Sequence, residues 1–147
     1  MDPISGTVGL VAGVTSIVTV IGKSVQTLNS IRQRYKDTEL NILLLTGHLR
    51  TVRTALLQVQ HWVTQCLHGV AHHHQLMVEL EEAIDHCRLL VEHIDLQISR
   101  FEWEEENPLR MGSKVLLILE DQLIKDCLTR LDHQINALNL CLTAFNW

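Results

Sequence analysis

Nine histidines, four cysteines and a short acidic run are the side chains of this 147-residue chain with the most chemistry to offer. Cys66, His68, His72, His73 and His74 lie close together, and His86 and His93 follow two turns apart. A zinc site needs four ligands converging tetrahedrally, usually as two pairs of set spacing. No C-x2-C or H-x3-H pair is joined here to a second such pair, so the triple histidine reads as a solvated turn. A dicarboxylate metal centre in a helical bundle carries Glu-x-x-His on two helices, and no glutamate has a histidine three places on. Glu102 to Glu106 bring carboxylates together, but beside Pro108 they lack a desolvated setting that would raise one pKa for acid–base work. There is no G-x-S-x-G turn and no glycine-rich phosphate loop. The residues predict no catalytic site, no metal, no cofactor and no small-molecule substrate.

The elements that carry these residues read as helices. Hydrophobic residues make up 46% of the chain and charged ones 20%, which fits one compact domain. Seven glycines and two prolines leave few places to turn, and the long Leu, Val and Ile periodicities are those of helices rather than strands. The four cysteines sit inside helical patterns and no secretory signal precedes them, which predicts free thiols and a cytoplasmic protein. Trp62, Trp103 and Trp147 read as core or loop anchors.

A net charge of −5 argues against binding to nucleic acid, where clustered and unopposed Lys and Arg are needed. That charge is uneven. Residues 1–37 carry Lys23, Arg32, Arg34 and Lys36 against Asp2 and Asp37, whereas 79–106 carry ten acids against Arg88 and Arg100. Two such segments attract each other if the fold brings them together; the other reading, and the default one, is that both are simply solvated helix faces.

Ile4 through Gly22 is a run of 19 residues without an ionisable side chain, the length at which a membrane span becomes a candidate. Asp2 suits an N-cap and Pro3 the first helical position. Ser5, Gly9, Gly13 and, slightly rotated, Ser16 then form a small-residue stripe open to close helix packing. After Lys23 the helix turns amphipathic, with Val25, Leu28 and Ile31 inward, and ends near Tyr35.

A second helix is predicted from Glu39 to Leu67 with Leu40, Leu43, Leu44, Leu49, Val52, Leu56, Val59 and Val63 inward, capped by Asp37 or Thr38. A third runs from His74 to Phe101 with Leu76, Leu80, Ala83, Ile84, Cys87, Val91, Ile94 and Ile98 inward. The last runs from Lys114 to Phe145 behind Ser113, with Leu116, Leu119, Leu123, Cys127, Leu131, Ile135, Leu138 and Leu142 on one stripe. The fold class is therefore all-α, an antiparallel bundle of about four long helices in a single domain over 1–147.

Two stretches resemble a known family. Met1-Asp2-Pro3-Ile4-Ser5, leading into the Gly/Ala/Val/Thr/Ser-rich helix, resembles the opening of the fungal N-terminal domain of STAND (NLR-like) proteins, a HeLo-like family. Glu120-Asp121-Gln122-Leu123, Leu131 and Asn136 to Leu142 are similar to its acidic-leucine pattern and closing leucine-rich helix. Ile118 and Leu119 stand where relatives often have an aromatic before the acidic pair, so an aromatic packing contact is absent at that place.

The resemblance implies an effector domain that self-associates on activation, is recruited from the cytoplasm to the cell membrane and drives regulated cell death in innate immunity, with downstream domains or an NLR-like partner. The residues add a physical route to this. Ile4, Ser5, Val8, Gly9, Leu10, Val11, Gly13, Val14, Ile17, Val18 and Ile21 are the candidates for membrane insertion and helix packing. Lys23, Arg32, Arg34 and Lys36 are the candidates for an anionic lipid surface, each contributing about 1 kcal/mol near it. The competing expectation is a non-lytic helical adaptor whose first helix never leaves the core.

Overall fold

The computed structural model describes residues 3–34, 39–66, 74–99 and 122–145. These form four helices, α1 (Pro3–Arg34), α2 (Glu39–Cys66), α3 (His74–Ser99) and α4 (Gln122–Phe145), with no strand among the described residues. The chain is all-α. Helix α1 is continuous across the change from uncharged to amphipathic sequence at Lys23, and it closes with Arg32 and Arg34 in its last turn, where cations suit the helix dipole. Glu39 opens α2 at the end of the dipole that favours an acid.

The packing is a four-cornered ring. Helix α1 shares faces with α2 and α3, and α4 closes the ring against the same two helices. Gly9 lies against Glu81, Gly13 against Ile84 and Ser24 against Asp95, so the adjacent helices α1 and α3 run parallel. Only four residues separate α1 from α2, which share a face and therefore reverse direction. Glu79 and Leu80 line one groove with Cys141, and Leu90 lines another with Arg130, so α3 and α4 are antiparallel too. Helices consecutive in the chain thus alternate in direction, as the antiparallel bundle predicts.

One core fills the ring. Leu10, Val14, Ile17 and Ile21 of α1 meet Leu49, Val52, Leu56 and Val59 of α2, Leu80, Ile84, Val91 and Ile94 of α3, and Leu131 and Leu138 of α4. The inward stripe predicted for α3 is the buried one, with Leu76 and Ala83 half-buried at its border.

Two stripes need correction. Leu40, Leu43 and Leu44 are exposed, and Ile42 and Leu45 take the inward places at the start of α2. Counting back from Leu49 by four and seven residues reaches Leu45 and Ile42, the helical repeat that the core enforces. The run Ile42 to Leu45 is apolar on every side, so its composition alone cannot choose a face. On α4 the innermost residue of the first turns is Ile124, three places before Cys127 and seven before Leu131. Leu116 and Leu119, the side chain of Leu123 and the Lys114 start of this helix lie outside the described residues, as do the caps Asp2, Asp37, Thr38 and Ser113.

Candidate functional site

Helix α1 divides its uncharged residues between two environments. Leu10, Val14, Ile17 and Ile21 are fully buried, while Val11, Gly13 and Val18 are half-buried. Val8 and Gly9 are exposed, and the side chains of Ile4 and Ser5 lie outside the described residues. The outward face continues from Val8 through Ala12, Thr15, Ser16 and Thr19, all exposed and none of them charged, before Lys23 is reached. Thr19 turns its hydroxyl back onto the Thr15 carbonyl at 2.9 Å, which satisfies a polar group without calling on water. Val8–Arg34 is long and apolar enough to cross a membrane by length and composition, and 33% of its most apolar 18-residue window is buried.

The glycine stripe is occupied within the bundle. A β-carbon on Gly13 would stand 3.1 Å from Cγ2 of Ile84, closer than carbon atoms pack comfortably, and one on Gly9 would stand 3.6 Å from a carboxylate oxygen of Glu81. The missing side chain of Gly13 lets α1 approach α3 closely along their parallel interface, whereas a β-carbon on Gly9 would make ordinary contact. Ser16, rotated away from that interface, is exposed.

The four cations proposed for lipid do not form one patch. Lys23 and Arg34 are eleven residues apart, close to three turns, and share a side of α1; Arg32, nine residues from Lys23, lies about half a turn around and is half-buried. Lys36 lies outside the described residues. Lys23 already has a partner, since its ammonium is 3.6 Å from Oδ2 of Asp95 on α3. The hydroxyl of the buried neighbour Ser24 donates to Oδ1 of the same carboxylate at 2.8 Å. One acid on α3 therefore holds α1 where its uncharged stretch ends, which makes concrete the attraction between a basic beginning and an acidic third quarter. Neither Ser24 nor Asp95 is among the residues that the sequence singles out. Their signal is a hydroxyl in the middle of the inward series Ile17, Ile21, Leu28, where Thr27 is the other buried polar residue.

The remaining candidates place as follows. Cys87 and Cys127 are buried free thiols and Cys141 is a half-buried one. Burial pushes the Cys87 thiol up to about 11. Burial also raises Cys127, opposed by the nearby Arg130 and reinforced by Asp126. Neither thiol is in the thiolate form that attacks or ligates at neutral pH. His86 is exposed beside His133 in a groove between α3 and α4. His93 buries its Nε2 without a hydrogen-bond partner, and His48 meets Asp132 across α2 and α4 at 2.7 Å. No group of three metal-ligating side chains converges among the described residues. Trp62 is half-buried against the core; the side chains of Cys66 and His74, His68, His72, His73, Trp103, Trp147 and the Glu102–Glu106 run lie outside the described residues.

No protein-family model, no curated protein and no solved structure matches this chain.

Proposed function

We propose that this chain is an effector and signalling domain of the HeLo-like kind, the N-terminal part of an NLR-like (STAND) or related protein, which acts by self-association and by delivering α1 to an anionic membrane in regulated cell death. The observation that carries the reading is the uncharged solvent face of α1. A helix at the corner of a soluble bundle ordinarily puts charge on the side that water sees. Helix α3 does so with Glu82, Asp85 and Glu92, and α4 with Lys125, Asp126, Arg130 and Asp132. Between Val8 and Thr19 helix α1 does not, although nothing in the bundle requires those outward positions to be neutral. Lipid does require it, because a charge at the centre of a membrane helix costs about 2.5–3.5 kcal/mol.

Release has an opposing cost. Leu10, Val14, Ile17 and Ile21 each lose burial of about 1.5–3 kcal/mol, which only another apolar environment returns. Lys23 must exchange Asp95 for lipid phosphate. Association of several copies at a membrane offers the required summation.

Leakage of a trapped dye from anionic vesicles tests the reading with a variant that leaves the bundle intact. Thr15 is exposed, so Thr15→Lys is expected to melt like the native chain and to lose leakage activity. Equal leakage from the native chain and the variant would defeat the proposal, as would no leakage from either.

The adaptor reading has its own observation. The Gly13–Ile84 approach and the Lys23/Ser24–Asp95 clasp tie α1 into the bundle as tightly as a permanent core helix would be. In that case Thr15→Lys leaves partner binding unchanged and vesicles stay sealed.

A further inference from the structure

Opposite faces of the bundle carry opposite charge. Helix α1 has Lys23, Arg32 and Arg34 and no acid, and α2 has Arg50 and Arg53 against Glu39 alone. Helix α3 has six acids against Arg88, and α4 is balanced. Lys23 is drawn to Asp95 across the α1/α3 seam, but α2 and α3 occupy opposite corners of the ring, so the fold sets Arg50 and Arg53 on a basic face away from the acidic face of α3.

Each face also carries apolar surface of matching form. On the basic side a shallow, open groove of about 470 Å³ between α1 and α2 is lined by the apolar Val18 and Leu57 together with Arg53 and His61. Leu57 is 43% exposed there. On the acidic side Leu89 and Leu96, 56% and 54% exposed, stand seven residues apart on the outward side of α3. Glu82, Asp85 and Glu92 flank this ridge. Arg88 lies beside it, held at 3.7 Å from Asp85 and 3.4 Å from Glu92, and Arg130 of α4 borders Leu89, yet the acids outnumber the cations on α3. Seven residues of helix rise about 10 Å, and the stretch of groove from Arg53 to His61 spans about 12 Å. The ridge and the groove are therefore of one length.

We propose that the folded chain associates front to back with a second copy of itself, the Leu89/Leu96 ridge of one molecule seated in the α1/α2 groove of the next, with Arg53 facing the acids beside the ridge. Two different patches are engaged, so the contact is heterologous and each added copy leaves one ridge and one groove free to grow a ring or filament. Complementary charge sets the register and speeds encounter. The proposal deepens the self-association of the reading above by naming its surfaces, and it requires no lipid.

Sedimentation velocity on the full chain over a range of concentration and salt tests it. Native protein is expected to form species larger than the monomer at low salt and to lose them at high salt, where charge complementarity is screened. Arg53→Glu spoils the groove and Leu89→Arg spoils the ridge, so each alone weakens association by about tenfold or more. Mixing the two variants is the decisive arm. Each retains the face that the other lacks, and an equimolar mixture forms a one-to-one pair that grows no further. A native chain that stays monomeric into the millimolar range, or a mixture that forms no pair, overturns the proposal. Arg53→Gln and Leu89→Ser, checked by circular dichroism, repeat the test with milder changes if either charged variant melts early. Vesicle leakage separates the two proposals: association without leakage supports the surfaces and defeats the membrane reading, whereas leakage by a chain that stays monomeric in solution overturns the surfaces alone.

Discussion

Asp95 concentrates the polar hold on α1 in a single carboxylate, and its two partners contribute unequally. Ser24 is buried, so losing its acceptor strands a hydroxyl away from water at a cost of about 1–3 kcal/mol. Lys23 is largely exposed, and its ion pair is worth less than about 1 kcal/mol after screening. Asp95→Ala is therefore expected to lower the urea midpoint clearly more than Lys23→Ala does. Asp95→Asn, which keeps an acceptor for Ser24, falls between them. In the membrane reading Asp95→Ala raises vesicle leakage more than Asp95→Asn does, because both free α1 and leave Lys23 for lipid phosphate.

The glycines of α1 separate packing from propensity. Gly22 has open space where a β-carbon would go, so Gly22→Ala gains helix propensity and stabilises the fold by about 0.5–1 kcal/mol. Gly13 meets Ile84, and Gly13→Val is expected to destabilise by about 1–3 kcal/mol through overpacking. Equilibrium unfolding of the two variants checks the contrast. Cys87 supplies a pH dependence. Its thiol titrates near 9 when unfolded and near 11 in the bundle, so above pH 9 the unfolded chain sheds a proton that the folded one keeps. Stability is fully present below pH 9 and falls between about 9 and 11, by at most about 1.4 kcal/mol per pH unit. Cys87→Ala, compared with the native chain across that range, is expected to flatten the slope.

At the scale of the element, α1 and α4 stand in contrast. Helix α4 is a conventional amphipathic helix, with Ile124, Cys127, Leu131 and Leu138 inward and Lys125, Asp126, Arg130 and Asp132 outward. Leu131→Ala opens a cavity in the shared core, and thermal melts are expected to show a loss of about 2–5 kcal/mol. Helix α1 buries a similar inward series but leaves its outward face neutral from Val8 to Thr19. An element built that way fits two solvents, and the outward positions, not the buried ones, are where a charge distinguishes them. Leu40 and Leu44 of α2, 70% and 64% exposed, show that neutral surface is not confined to α1, and on α2 it is interrupted by the exposed Arg50.

Across the whole molecule the arrangement of helices matters more than any one of them. Running α1 parallel and adjacent to α3 puts Lys23 within reach of Asp95 and leaves α2 and α4 as the outer partners. The same ring sets the cations of α2 and the acids of α3 at opposite corners. A molecule so divided is expected to associate more strongly as salt is lowered, which light scattering over a salt series reads directly.

The helices themselves were legible in the residue order, because each carries a core stripe long enough for the helical repeat to declare itself. The stripe of α3 could be read residue by residue from Leu80 to Ile98. The start of α2 could not, since Ile42 to Leu45 is apolar on all sides and only the neighbouring helices select which of those residues turn inward. The charge-free run at the start of the chain was equally plain, but its division into a buried half and a neutral solvent face came from packing. The clasp of Ser24 and Lys23 on Asp95 joins positions 71 and 72 residues apart. Local periodicity carries information over a few turns, whereas the pairing of helices depends on how four stripes share one core, and that competition is settled only when all four are present together.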